Sequence, residues 1–207
     1  MTTIENIVVL AKAIPANSLM YGEITCVAGI AKEDDKWRRL YPVPTKLLGK
    51  SYLMKFGMIE VEVDDWHGTH HRPEDRYLVD YKRCTNQVRD WEQRRAYLRK
   101  HLDKSVNYVL SSGRSLGLIK PEIDDFYKDS RGKLRYKFRD CERQYDLVCR
   151  EWEALALANK YLEDFSKVRD KFFDWMNERD TYFVIGTTAD NATKMIVAIH
   201  YPPKLVP

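Results

Sequence analysis

GEITCVAGIAKEDDKWRRLYPVP, residues Gly22 to Pro44, reads as a β-hairpin. Glu23 to Ile30 is a run of strand length, Lys32-Glu33-Asp34-Asp35 is a charged turn, and Trp37 to Tyr41 is a second extended segment closed by Pro42 and Pro44. Alternate side chains of an extended chain face opposite ways, so Trp37, Arg39 and Tyr41 share one face. An aromatic, a guanidinium and an aromatic in a row make a surface on which bases stack and phosphates pair. The same pattern also suits a small barrel whose core takes Trp37 and Tyr41 and whose arginines are solvated.

Strand signals continue on both sides. Ile4 to Ala11 is a continuous β-branched run ended by Pro15 and Asn17, which suits a central strand. Gly57 to Asp64 alternates, with Met58, Glu60, Glu62 and Asp64 on one face and Ile59, Val61 and Val63 on the other. Asp65 to Asp75 reads as a polar loop and Arg76 to Tyr81 as a further short strand, while Lys46 to Lys55 is ambiguous.

From Thr85 the period changes. Val88, Trp91, Arg95, Leu98 and Leu102 fall at helical spacing, with Arg94, Arg99 and Lys100 outside that stripe. A short helix over Ser105–Ser111, with Ser105 as N-cap, ends at Gly113, and Ser115–Lys120 is a strand stopped by Pro121. Lys133 to Arg139 is strictly alternating: Lys133, Arg135, Lys137 and Arg139 point one way, Leu134, Tyr136 and Phe138 the other. Tyr145–Cys149 is its partner across the turn Asp140–Gln144. A helix then carries Trp152, Leu155, Ala156 and Asn159, and a second carries Phe165, Val168, Phe172, Trp175 and Met176. Strands Thr181–Gly186 and Met195–Tyr201 finish the chain. Short, mainly antiparallel, hairpin-linked strands with about three helical regions predict an α+β protein built on small OB-like β-barrels. The expected organisation is one compact unit of two barrel-like halves, 1–81 and 115–207, joined by the basic helical segment 85–112.

Composition narrows the partner. The 207 residues are 44% apolar, enough to bury a real core, and the net charge of +4 is unevenly placed. Lys82–Lys104 holds eight Lys/Arg against three acids and Lys128–Arg150 eight against four, so these two segments carry more positive charge than the whole chain. That asymmetry points to an anionic partner. No apolar run reaches membrane-spanning length and MTTIENIVVL has no basic leader, so the expectation is a cytoplasmic protein with free thiols at Cys26, Cys84, Cys141 and Cys149. No internal repeat is apparent.

VVLAK at Val8–Lys12, CVAG at Cys26–Gly29 and WRRLYPVP at Trp37–Pro44 resemble the opening of a set of prokaryotic proteins predicted to contain dual OB-fold modules and found with DNA-modification and anti-phage defence systems. SLGLIKP at Ser115–Pro121, DLVCREWE at Asp146–Glu153, YFVIGTT and IVAIHYPP look like an uncharacterised branch of that set. Where such openings place Gly-Gly-Arg before the cysteine, this chain has Gly22-Glu23-Ile24-Thr25. The resemblance implies nucleic-acid binding and names no catalytic residue.

The residues supply what an OB-type barrel needs for a single strand, a cationic groove and aromatic platforms. The expected nucleic-acid-binding set is Trp37, Arg38, Arg39, Tyr41, Arg94, Arg95, Arg99, Lys133, Arg135, Lys137 and Arg139, acting without catalysis and without a cofactor. A Lys/Arg row also blocks edge-to-edge aggregation. Two other classes stay open. Glu60, Glu62 and Asp64 could hold Mg²⁺ for a nuclease or nucleotide-acting enzyme, or be a solvated sheet face; His67, His70, His71 and Cys84 match no closed zinc spacing. The aromatic helix Phe165–Met176 and the Tyr201-Pro202-Pro203 end could dock a protein partner in a defence or modification complex, although such spacing usually marks core.

Overall fold

The computed structural model describes residues 1–18, 21–48, 53–67, 72–82, 88, 90–160, 165–188, 190 and 192–204. Its contacts cluster into two units, Met1–Asp90 and Trp91–Pro207.

In the first unit the strands are β1 (Thr3–Lys12), β2 (Ala16–Ser18), β3 (Gly22–Ala31), β4 (Trp37–Pro44), β5 (Met58–Asp65) and β6 (Asp75–Lys82). They pair in the order β1-β5-β6-β4-β3, and β3 pairs back onto β1, so the sheet closes into a five-stranded barrel with the short β2 added beside β3. Counting only the five main strands, the first pairs with the second and fourth, and the third pairs with the fifth in parallel. That is the Greek-key order of an OB-type barrel. The interior is filled by alternate residues: Ile7 and Val9, Val27, Leu40 and Val43, and Ile59, Val61 and Val63. β1 is buried from Ile7 through Lys12 on both faces because Phe56 and Gly57 hydrogen-bond to Val9 beside the barrel wall. β1 and β3 also approach closely. A Cβ at Gly29 would stand 2.2 Å from the Val8 carbonyl oxygen, so only glycine fits there.

The second unit contains α1 (Trp91–Lys100), α2 (Val106–Ser111), β7 (Leu116–Ile119), β8 (Glu122–Lys128), β9 (Leu134–Arg139), β10 (Gln144–Cys149), α3 (Trp152–Lys160), α4 (Phe165–Asn177), β11 (Tyr182–Thr187) and β12 (Lys194–His200). The sheet order is β7-β11-β12-β10-β9-β8, with β10 and β12 parallel. Its two edge strands are separated in the chain only by Lys120 and Pro121. The sheet must therefore roll until its edges meet, and β7 and β8 are two halves of one strand broken at a proline that has no N–H for the ladder. Taken as one strand, they give the order of the first barrel, with α3 and α4 inserted between the third and fourth strands. The sequence carries no repeat, yet both units use this order. An aromatic chain fills the core: Phe126 stacks on Tyr136 at 5.4 Å, and Tyr136 and Phe138 set their edges to Phe183 at 5.3 and 5.2 Å.

The expected strands and helices are present, with four corrections. Of the stripe expected on the helix after Thr85, Arg95 and Leu98 are buried, whereas Trp91 and Leu102 are 42% and 40% exposed. β8 is an additional strand that starts directly after Pro121, where the sequence predicts only a strand end. The helix after Glu151 buries Ala154 and Ala158 and exposes Trp152, Ala156 and Asn159, so its inward stripe lies elsewhere than expected. Trp175, expected on the packed face of α4, is 36% exposed, while Met176 is buried. Ser105 caps α2 as predicted, accepting a hydrogen bond from the Tyr108 N–H. Among the described residues no helix is long and apolar enough to cross a membrane.

Candidate nucleic-acid interface

Trp37, Arg39 and Tyr41 do share the outer face of β4, since Leu40 and Val43 point into the barrel. Most of that row is covered. Trp37 is 5% exposed, which leaves it no ring face for a base. Arg39 donates from Nη1 to Asp75 Oδ1 at 2.7 Å, and Arg72 donates from Nε to the other oxygen, Oδ2, at 2.8 Å. One carboxylate thus holds two guanidiniums, with side-chain exposures of 6% for Arg39, 4% for Asp75 and 12% for Arg72. Burial, then repulsion from Arg72, lowers the Arg39 pKa, and Asp75 opposes both. Burial pushes the neighbouring Cys26 thiol up. Arg38 faces the other way and is spent on Glu5 at 2.7 Å and Asp34 at 3.0 Å. Trp37, Arg38 and Arg39 are thus taken up by packing and ion pairs: Glu5 on β1 and Asp75 on β6 come from other strands, and Asp34 from the turn before β4.

Tyr41 is different. Its half-buried ring meets Tyr21 at 6.4 Å and Trp66 at 5.6 Å, and Tyr21 meets Tyr77 at 6.4 Å. Tyr21 stands in the connection leading into β3, Trp66 in the β5–β6 loop, and Tyr77 on β6. The pairs meet edge to face or tilted, at 88°, 59° and 71°, a favourable aromatic packing in which Tyr41, Trp66 and Tyr77 remain half-buried. Tyr21 is 41% exposed, and its hydrogen bond with Tyr77, followed by burial, raises its pKa. The indole Nε1 of Trp66 is buried with no hydrogen-bond partner among the described residues. This nest occupies the rim formed by the third strand and the loops after the first and fourth main strands, where OB-type barrels hold oligonucleotides. Sequence reasoning named Tyr41 and missed Tyr21, Trp66 and Tyr77. The signal is available only from the strand order, which brings Tyr21 and Trp66 to the rim that carries Tyr41 and Tyr77.

In the second unit β9 keeps its alternation, with Leu134, Tyr136 and Phe138 buried and Arg135, Lys137 and Arg139 outward; Lys133 is exposed just before the strand. The outward charges are largely matched. Arg135 donates to Asp146 at 2.9 Å; burial would lower its pKa, but that hydrogen bond raises it. Arg139 donates to Glu122 and Asp124 at 2.9 and 3.1 Å. Lys137 lies over the Tyr127 ring at 5.1 Å, and that phenol donates to Asp146 at 2.7 Å. Among the described residues neither the Lys133 nor the Lys137 ammonium is ion-paired within 4 Å, although Lys133 donates its backbone N–H to Asp129 at 2.9 Å and helps hold that carboxyl below its usual range. On α1, Arg94 stacks over Trp91 at 4.9 Å, and Arg99 has an open side chain, 54% exposed. Arg95 is buried, 3.3 Å from Asp180.

The rival sites have structural partners. Glu60 pairs with Lys82 at 3.1 Å, and Asp64 takes the N-terminal ammonium at 3.1 Å and faces His67 at 3.5 Å. His70, His71 and Cys84 lie outside the described residues. Among the described residues no group of three His, Cys, Asp or Glu side chains is placed to hold a metal ion.

By fold, then, the protein carries two OB-type sheets, one of them a closed barrel with an aromatic rim. Residues 3–100 match the family model of a domain of unknown function, DUF8758. No curated protein matches the chain. Solved structures similar to it include a murine DNA-binding protein bound to double-stranded DNA, with 9% identity and a TM-score of 0.40, covering 100% of this chain and 97% of that one. Two more are the Ifi202 HINa domain in complex with a 20 bp double-stranded DNA (9%, 0.40, 99% and 100%) and the p204 HINb domain (10%, 0.40, 92% and 90%).

Proposed function

We propose that this protein binds single-stranded nucleic acid, without cutting it, and that unpaired bases enter the Tyr21–Tyr41–Trp66–Tyr77 nest. The observation that carries the reading is the convergence of four aromatic rings, from four separate segments, on the binding rim of an OB-type barrel. Bases present a π-face to such rings only when unstacked from a duplex, which favours single strands, and stacking tolerates any base. The buried Arg39–Asp75–Arg72 network behind the rim fixes the strand and the loop that hold the rings and adds positive potential there. On the second unit, Lys133 and Lys137 with Tyr127 offer a weaker backbone contact, since Arg135 and Arg139 are already ion-paired. A binder of this kind suits the DNA-modification and defence setting that the opening motif implies, in which a partner protein would supply any chemistry.

The test is fluorescence anisotropy with labelled single strands and the variants Tyr41→Leu and Trp66→Leu, which keep apolar bulk and remove the ring. Each stacked base is worth about 1–3 kcal/mol, so each variant should weaken binding about five- to 150-fold while still melting cooperatively. Unchanged affinity in both folded variants would dispose of the nest as the contact.

A further inference from the structure

In the second unit three arginines are matched or outnumbered by acids: on β9 Arg139 has two carboxylates and Arg135 has one, and on α4 Arg169 has Asp125 and Asp170. One place reverses the ratio. Asp180, 10% exposed just before β11, is approached by Arg95 at 3.3 Å, Lys120 at 2.9 Å and Arg99 at 4.0 Å. Three cations converge on a single carboxylate, which leaves two positive charges in excess. Burial alone would raise the Asp180 pKa, but the Lys120 hydrogen bond and the attraction of Lys120, Arg95 and Arg99 hold it below the usual carboxylate range.

The three cations are not equivalent. Arg95 is 6% exposed and donates to the Pro203 carbonyl, so it belongs to the packing of α1 on the C-terminal segment, and its Nε stands 3.3 Å from Asp180 without a hydrogen bond. Lys120 gives one of its three donors to Asp180 at 2.9 Å and Arg99 only approaches it, and both side chains stay open, 49% and 54% exposed, with donors to spare. At 4.0 Å the Arg99 contact is too long for a hydrogen bond, so the fork of donors on its guanidinium is available to a ligand. Lys120, at the break between β7 and β8, is held by Asp180 at 2.9 Å and lies over the Tyr182 ring at 5.9 Å. Holding like charges together is unfavourable unless an anion joins them, and a phosphate supplies oxygen acceptors for an arginine fork and an ammonium at once.

We propose that Arg99 and Lys120, anchored on Asp180 with Arg95, form a phosphate-binding site on the α1 side of the second unit. As a contact for a polymer it rests on the nucleic-acid reading above, and it lies on a different unit from the aromatic nest. Both a backbone phosphodiester and a free phosphate share the chemistry the site recognises, and the experiment separates them. The probes are labelled oligothymidylate and inorganic phosphate, applied to the wild type and to the double variant Arg99→Glu/Lys120→Glu. Neither residue is buried, so the variant should fold; it loses the Lys120–Asp180 hydrogen bond and so unfolds at lower urea than the wild type, and a cooperative transition verifies that it is folded.

A backbone site loses two contacts. The slope of log affinity against log salt should flatten by about 1.4, which is about 25-fold in affinity at 0.1 M salt. A free-phosphate site instead gives thermal stabilisation of the wild type by millimolar phosphate that the variant lacks. Oligothymidylate affinity and slope equal in both proteins, with no phosphate-dependent difference, would overturn this site while leaving the nest standing. Failure of the wild type to bind any strand would overturn the nucleic-acid reading and this site with it.

Discussion

Asp75→Asn should be among the most damaging single changes in the first unit. Asp75 is 4% exposed and takes Arg39 at 2.7 Å and Arg72 at 2.8 Å, one on each oxygen. At those distances and an effective dielectric of about 20, Coulomb's law gives each contact about 6 kcal/mol of attraction, most of it offset by the cost of taking the ions out of water. The asparagine keeps the shape and removes the charge, so two guanidiniums face each other in a buried site. Removing one partner of a buried pair costs about 3–5 kcal/mol, and here the partner is shared. Arg72→Leu is the control. It leaves Arg39 and Asp75 as a one-to-one pair, and the lost charged hydrogen bond, worth about 1.5–3 kcal/mol, is partly offset by relief of the Arg39–Arg72 repulsion. Urea unfolding should therefore show Asp75→Asn losing several kcal/mol and Arg72→Leu about 1 kcal/mol, each read from the midpoint at constant slope. Equal losses, or a loss under about 1 kcal/mol for Asp75→Asn, would refute the claim that one carboxylate neutralises both arginines.

Two further outcomes follow from burial and charge. Trp37→Ala should cost about 3–5 kcal/mol in urea unfolding and leave the strand affinity of the folded protein unchanged, because the indole is 5% exposed. Asp180 has a folded-state pKa below its unfolded value, so its stabilisation is present above the unfolded pKa of about 3.9 and is lost as pH falls through the folded one. Asp180→Asn should accordingly be destabilised at neutral pH, with the gap to the wild type closing as the pH is lowered below about 4. A gap that stays constant down to acid pH would show that the carboxylate's charge is not what Arg95 uses.

The parts of the fold that were legible in the sequence are those governed by local period. β9 alternates without interruption and was placed to within a residue. β8 was not, because its register shifts between Ile123 and Asp125. The bulge brings Ile123 and Phe126 both inward at a spacing of three, with Asp124 and Asp125 between them, so the segment has no period of two to read. The shared face of Trp37, Arg39 and Tyr41 was legible for the same local reason. Its burial was not, since the covering partner of Arg39 is 36 residues away in the chain. The nest is further still from local reading. Its rings come from positions 21, 41, 66 and 77, and only the closure of the barrel brings them together.

The central claim is met most directly by an equilibrium titration of the wild-type protein with an oligothymidylate and with a duplex of equal length, across a range of salt. The account predicts tighter binding of the single strand, leaving it intact on a denaturing gel, with affinity falling as salt rises by about 0.7 in log–log slope for each phosphate contacted. Binding of neither polymer, or a preference for the duplex at every salt concentration, would contradict it.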